Sequence, residues 1–189
     1  MSFNKFFTFC CYLLMSLTFS SCNDEGEQIQ SWYYDESLLN QMESEWNNQN
    51  LLNYSFEYSI SDVIPDAVIG IVTIKEGASS VELTINGLTS GDEGYEAELN
   101  RYLEKNIKIS FNSINEIYSY VKYVVDNRKQ EYKSKKLIHY ILNIDYDSEN
   151  YVPLLIDETL FYKEDLTEDL IYGNWNGELN FKIYNFSID

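Results

Sequence analysis

An α+β fold follows from three features of this chain. Apolar residues recur at helical spacing over 39–46 and 114–124, alternating or β-branched runs lie between and after them, and the order reads helix, three strands, connector, helix, three strands. Strands joined by short turns pair antiparallel, so the expectation is an antiparallel sheet of about six strands with two main helices packed on one face. Pro65 and Pro153 each fall between the first and second strands of a triplet, which hints at a duplicated helix-plus-three-strand unit.

The domain is expected to begin near Trp32. Ser37 reads as an N-cap, and Leu39, Met42 and Trp46 follow at spacings of three and four, predicting a helix to about Gln49. Tyr54, Phe56, Tyr58 and Ile60 alternate with Ser55, Glu57 and Ser59, as in a half-buried strand. Pro65-Asp66 marks a turn, and the β-branched run 67–75 reads as a central strand covered on both faces. Val81, Leu83 and Ile85 alternate up to the turn Asn86-Gly87. Tyr95, Leu99 and Tyr102 suggest a short helix, and Ile107, Ile109 and Phe111 a brief extended segment. Ser113 and Glu116 form a capping box, from which Ile114, Ile117, Val121 and Val124 carry an amphipathic helix to about Asn127. Strands are predicted over 137–146, 152–161 and 178–188.

The first 21 residues have the character of a secretory signal. Lys5 supplies a positive start and residues 6–19 are almost wholly apolar, which is shorter than the roughly 20 residues a membrane-crossing helix needs. The run ends in Phe19-Ser20-Ser21-Cys22, which resembles the lipobox of bacterial lipoproteins, although Phe19 stands where Leu is usual. The resemblance implies cleavage before Cys22 and acylation of that cysteine. Cys10 and Cys11 leave with the signal, so no internal disulfide can form. Residues 22–31 then read as a lipidated tether carrying Asp24, Glu25 and Glu27. Two readings of these acids stand: a sorting signal toward the outer surface, or a stretch that simply stays solvated.

Removal of 21 residues from 189 leaves 168, a length suited to one domain, 32–189. The formal charge of −18 becomes −19 without Lys5. Such a surface repels phosphate backbones, so no nucleic-acid partner is expected.

From Trp46 onward the chain resembles a family of small secreted bacterial lipoproteins known only as a domain of unknown function. Trp46 with Tyr54 and Phe56, Phe111 with Ile114, Glu116 and Ile117, and Tyr146-Asp147 with Tyr151, Pro153, Ile156 and Asp157 carry the likeness. Asn150-Tyr151-Val152-Pro153 departs from the family's usual Gly-Tyr-Pro turn. The resemblance implies the fold and the envelope address and brings no activity.

No catalytic constellation or cofactor motif can be read. His139 is the only histidine and sits mid-strand, where a structural role is the expectation. Asp145, Asp147 and Glu149 alternate as the opening of a calcium loop does, but Asn150 and Ile156 replace the Gly and bidentate Glu such a loop needs. Arg128, Lys129, Lys133, Lys135 and Lys136 form a basic cluster, read as a solvated helix end or, alternatively, as a contact for anionic lipid headgroups. Of 17 tyrosines, 16 follow the signal. Tyr33, Tyr34, Tyr151, Tyr162, Tyr172 and Trp175 lie in segments read as loops or strand ends, and the last four are the candidate binding residues. The function expected is that of a non-enzymatic module anchored in the bacterial cell envelope, at the outer membrane, binding an envelope protein or glycan. The alternatives are a carboxylate-dependent hydrolase of envelope polysaccharide and a structural or assembly factor.

Overall fold

The computed structural model describes residues 30–60, 67–105, 107–162 and 180–188. In chain order the elements are β1 (Ser31–Tyr33), α1 (Glu36–Asn48), β2 (Tyr54–Ile60), β3 (Val68–Lys75), β4 (Ala78–Ile85), β5 (Leu88–Thr89), α2 (Tyr95–Glu104), α3 (Ile114–Lys133), β6 (Leu137–Tyr146), β7 (Pro153–Tyr162) and β8 (Asn180–Ile188). The fold is α+β. The strands form one sheet in the order β1-β6-β7-β8-β2-β3-β4-β5, antiparallel throughout except that β1 runs parallel to β6. Each long helix, α1 and α3, is followed in sequence by an antiparallel three-strand meander, and β8 joins the two meanders by pairing with β2.

Several expectations need correction. The described sheet has eight strands rather than six because two short edge strands, β1 and β5, add to the six long ones. Among the described residues there are three helices, the two main ones and the short α2 that Tyr95, Leu99 and Tyr102 suggested. Ser31 belongs to the fold and not to a tether, since it pairs with His139. The helix α1 is capped by Asp35, whose carboxylate accepts from Leu38 N–H at 2.9 Å, rather than by Ser37. The helix α3 runs about one and two-thirds turns past Asn127 to Lys133. Residues 107–111, expected as a brief extended segment, form no strand.

β3 is central yet covered on one face only: Val68, Val72 and Ile74 are buried, whereas Ile71 and Lys75 face outward and are exposed. β-branched residues suit a pleated surface on either face, so the run reported a strand without reporting its burial.

Sidedness follows the same alternation elsewhere. Tyr54, Phe56, Tyr58 and Ile60 on β2, Tyr140 and Leu142 on β6, Ile156 and Leu160 on β7, and Phe181 and Ile183 on β8 join one core with the inner faces of the helices. Large rings fill the gap between layers. Phe111 lies 5.6 Å from Tyr58, 5.4 Å from Tyr120 and 5.2 Å from Phe181 between ring centroids.

Gly70 has a specific reason to be glycine. The Tyr58 ring crosses its Cα so closely that a Cβ there would meet ring atoms at 2.1–2.5 Å. This lets the Tyr58 hydroxyl reach the segment leading into α3, where it donates to Ile109 carbonyl at 2.9 Å and accepts from Phe111 N–H at 3.2 Å.

At the start of α3, Ser113 Oγ accepts from Glu116 N–H at 3.2 Å, while the Glu116 carboxylate reaches back to Asn112 N–H at 2.6 Å and to Lys108 Nζ at 2.5 Å. The expected capping box is present with its return bond one residue earlier. Burial raises the Glu116 pKa, but the bonds from Asn112 and Lys108 outweigh it and hold the carboxyl below its ordinary 4.5.

Two outcomes follow. Gly70→Ala is expected to destabilise the domain by about 1–3 kcal/mol in urea unfolding, because the ring or the strand must shift. Because Glu116 titrates lower when folded than unfolded, its contribution is complete above pH 4.5 and is lost as pH falls through the folded value. Glu116→Gln should flatten that part of the stability profile between neutral and acid pH.

Candidate functional site

β1 pairs with only three residues of β6: Ser31 with His139, Trp32 with Tyr140 and Tyr33 with Ile141. Short as it is, β1 is well held. Trp32 stacks on Tyr140 with centroids 4.3 Å apart and meets Tyr132 edge-on at 5.2 Å. Gln30 Nε2 donates to the carbonyls of Tyr132 at 3.0 Å and Leu137 at 3.2 Å, and Ser31 Oγ is hydrogen-bonded to His139 Nδ1. His139 also lies edge-on to Tyr33 and Phe161, at 5.9 and 5.1 Å. The lone histidine therefore packs and bonds within the edge of the sheet.

Past Tyr33 the chain leaves the sheet. Tyr34 and the Asp35 cap turn it into α1, so residues 142–146 of β6 have β7 on one side and, among the described residues, no strand on the other. A groove of about 310 Å³ fills that space between β6 and the first turn of α1. Its walls are Tyr33, Tyr34, Leu38 and Tyr146 together with Asp35, Asn143 and Asp145. Tyr33 and Leu38 are exposed, as are Asn143 and Asp145.

Burial first, then Glu36 and other neighbouring negative groups, raises the Tyr34 pKa above its ordinary range. Burial and Asp35 do the same to Tyr146. Both hydroxyls stay protonated at physiological pH and serve as neutral hydrogen-bond groups beside carboxylate and amide acceptors. A strand edge unpaired among the described residues, aromatic walls and convergent polar groups are the features by which a groove can hold a ligand.

A cavity of about 480 Å³ lies at the opposite margin, against β4, β5 and Tyr95, with Glu82 as its only carboxylate. A third, of about 280 Å³, lies beside Trp46 and Asn115. The β6 groove is set apart from both by its three tyrosines and two carboxylates.

The residues picked out from sequence are not brought together. Tyr151 lies in the turn between β6 and β7 with a positive φ of 59°, its carbonyl accepting from the Tyr118 hydroxyl at 2.5 Å. It reaches the groove only indirectly, through Tyr118, which stacks on Tyr146 at 6.5 Å. Tyr162 lies at the other end of β6, paired in register with Leu137. Tyr172 and Trp175 lie outside the described residues, as does Cys22. Asp147 Oδ1 is engaged by Glu149 N–H at 2.9 Å and Asn150 N–H at 2.6 Å, an Asx-type turn, while Asp145 faces the groove. Among the described residues no group of three or more potential metal ligands occurs.

Sequence reading missed the buried charge pair. Arg128 was grouped with a solvated helix end, yet the longer α3 places it on the inner face in line with Val121, Val124 and Val125. Its Nε donates to Glu158 at 3.1 Å and its Nη1 to Glu131 at 3.2 Å and to the Tyr162 hydroxyl at 3.1 Å. Tyr162 in turn donates to Glu131 at 3.0 Å. The Glu158 side chain is fully buried and that of Arg128 nearly so. Continuing the spacing of Val121 and Val124 to position 128 was the available signal.

No family model, curated protein or solved structure matches the chain. What the fold and groove define is a class: an α+β domain whose described strands form one sheet, with the edge at residues 142–146 unpaired among the described residues. Among the described residues no helix is long and apolar enough to cross a membrane.

Removing the guanidinium while leaving the Glu158 charge buried is costly. Arg128→Met should lower stability by about 3–5 kcal/mol, whereas Arg128→Met combined with Glu158→Leu should recover most of the loss. Urea titration of both variants checks this.

Proposed function

We propose that this chain is an envelope-anchored bacterial lipoprotein, related to the small secreted lipoproteins of unknown function it resembles, and that its domain is a non-enzymatic module binding a protein or glycan partner. Its address is the outer membrane. The observation that carries the binding role is the groove beside residues 142–146 of β6, where the strand edge has no pairing partner among the described residues and Tyr33, Tyr34 and Tyr146 line the wall. Tyrosines pair a large apolar area with a hydroxyl, and Asp35, Asn143 and Asp145 supply acceptors for a ligand's hydroxyl or amide groups. An extended peptide would be held by the backbone edge; a sugar would be held by the rings and carboxylates.

A carboxylate-dependent hydrolase has less support. Such an enzyme needs an acid that keeps its proton across a cleft from a second carboxylate. Glu158, the most buried acid described, is held in an ion pair with Arg128.

The lipid anchor is tested by mass spectrometry of the purified chain and of Cys22→Ala, which should lack the acyl mass and leave the detergent phase. The groove is tested by pull-down from solubilised envelope and by glycan-array binding, each compared with Tyr33→Ala. Tyr33 is 60% exposed, so its loss should spare the fold. Partner capture or glycan signal reduced about tenfold supports the groove, in keeping with an aromatic anchor worth 1–2 kcal/mol. Undiminished binding by Tyr33→Ala removes it.

A further inference from the structure

The chain enters the fold beside a compact group of lysines that hold no ion pair among the described residues. Gln30 bonds the carbonyls of Tyr132 and Leu137, which fixes the entry point between the end of α3 and the start of β6. The same connection carries Lys133, Lys135 and Lys136. All three are exposed, and no ion pair among the described residues involves them. Arg101, Lys108, Lys122, Arg128 and Lys129, by contrast, each hold a carboxylate. The C-terminal dipole of α3 attracts a cation to its last turn, where Lys133 sits, but Lys135 and Lys136 lie beyond it.

We propose that this end of the domain docks on anionic phospholipid headgroups, so that the groove faces away from the membrane. The inference rests on the lipid-anchor reading above. Seven residues, 23–29, separate the acylated cysteine from Gln30, and the eight residue steps span at most about 28 Å fully extended. The lysines are therefore held within reach of the surface. Charge supplies the orientation: the mature chain at −19 is repelled by anionic lipid as a whole, and this end gathers three exposed lysines within four residues. Each lysine near such a surface contributes roughly 1 kcal/mol, about a fivefold preference for the docked orientation. From Leu137, β6 runs away from the lysines and reaches Ile144 after about 23 Å at 3.3 Å per residue. The groove opens at that far end.

The experiment uses the intact lipidated chain in vesicles of phosphatidylcholine alone or with phosphatidylglycerol. A dye is placed on Ser134→Cys, among the lysines, or on Ser148→Cys, in the turn beyond β6, and energy transfer to headgroup-labelled lipid is read. Transfer from position 134 should clearly exceed that from 148 in anionic vesicles. The difference should be lost in high salt and in a Lys133→Gln, Lys135→Gln, Lys136→Gln variant. Equal transfer from both positions, or a difference indifferent to lipid charge, would mean that acids such as Asp24, Glu25 and Glu27 neutralise the lysines, and overturns the proposal. Mass spectrometry of the same samples separates the two failures. An acylated chain with equal transfer loses only the orientation, whereas an unmodified Cys22 removes the anchor reading and the proposal with it.

Discussion

The Tyr58 ring lying across Gly70 is the contact on which the layer arrangement depends. A phenol laid over a strand needs a neighbour without a Cβ, and its hydroxyl then pins the backbone at Ile109 and Phe111. That segment leads directly into the cap of α3. The pin therefore sets where a 20-residue helix begins and which of its faces meets the sheet. From that placement come the burial of Val121, Val124 and Val125, the reach of Arg128 to Glu158, and the position of Tyr132 against Trp32 and Gln30. The same helix anchors α1 through Lys122 with Glu43, Lys129 with Glu36 and Asn115 with Trp46.

Periodicity made the six long strands legible. Their alternation is a property of neighbouring residues, and β2 in particular puts every predicted apolar residue into the core. The capping box around Ser113 was equally local. Pairing partners were not readable, because β1 consists of three residues whose strand character comes only from meeting His139, Tyr140 and Ile141 more than 100 positions away. Which face of β3 would be covered depended on helices elsewhere in the chain. The extent of α3 was misjudged because its last turns carry charges, and a charge on an inner face needs a buried acid that no local pattern reveals.

The groove was partly visible for a related reason. An abundance of tyrosine pointed to binding surfaces, and Tyr33 and Tyr34 stood out as strand-end residues, but nothing local united them with Tyr146. Their union comes from the parallel entry of β1, which ends halfway along β6 and leaves the remainder of that strand open. Tyr162, equally conspicuous in sequence, belongs instead to the Arg128 network, where its hydroxyl bridges Arg128 and Glu131.

The parallel pairing of β1 with β6 also has a mechanical meaning. Tension applied through the backbone at Ser31, against a load held at the far end of β6, acts along the strand axis. The three register pairs, the Trp32 stack and the two Gln30 bonds are then strained in shear, all together, instead of being peeled open one at a time. An antiparallel β1 of equal length, entered from the opposite end, would unzip from its first pair under the same pull. Three residues thus become a joint able to carry force.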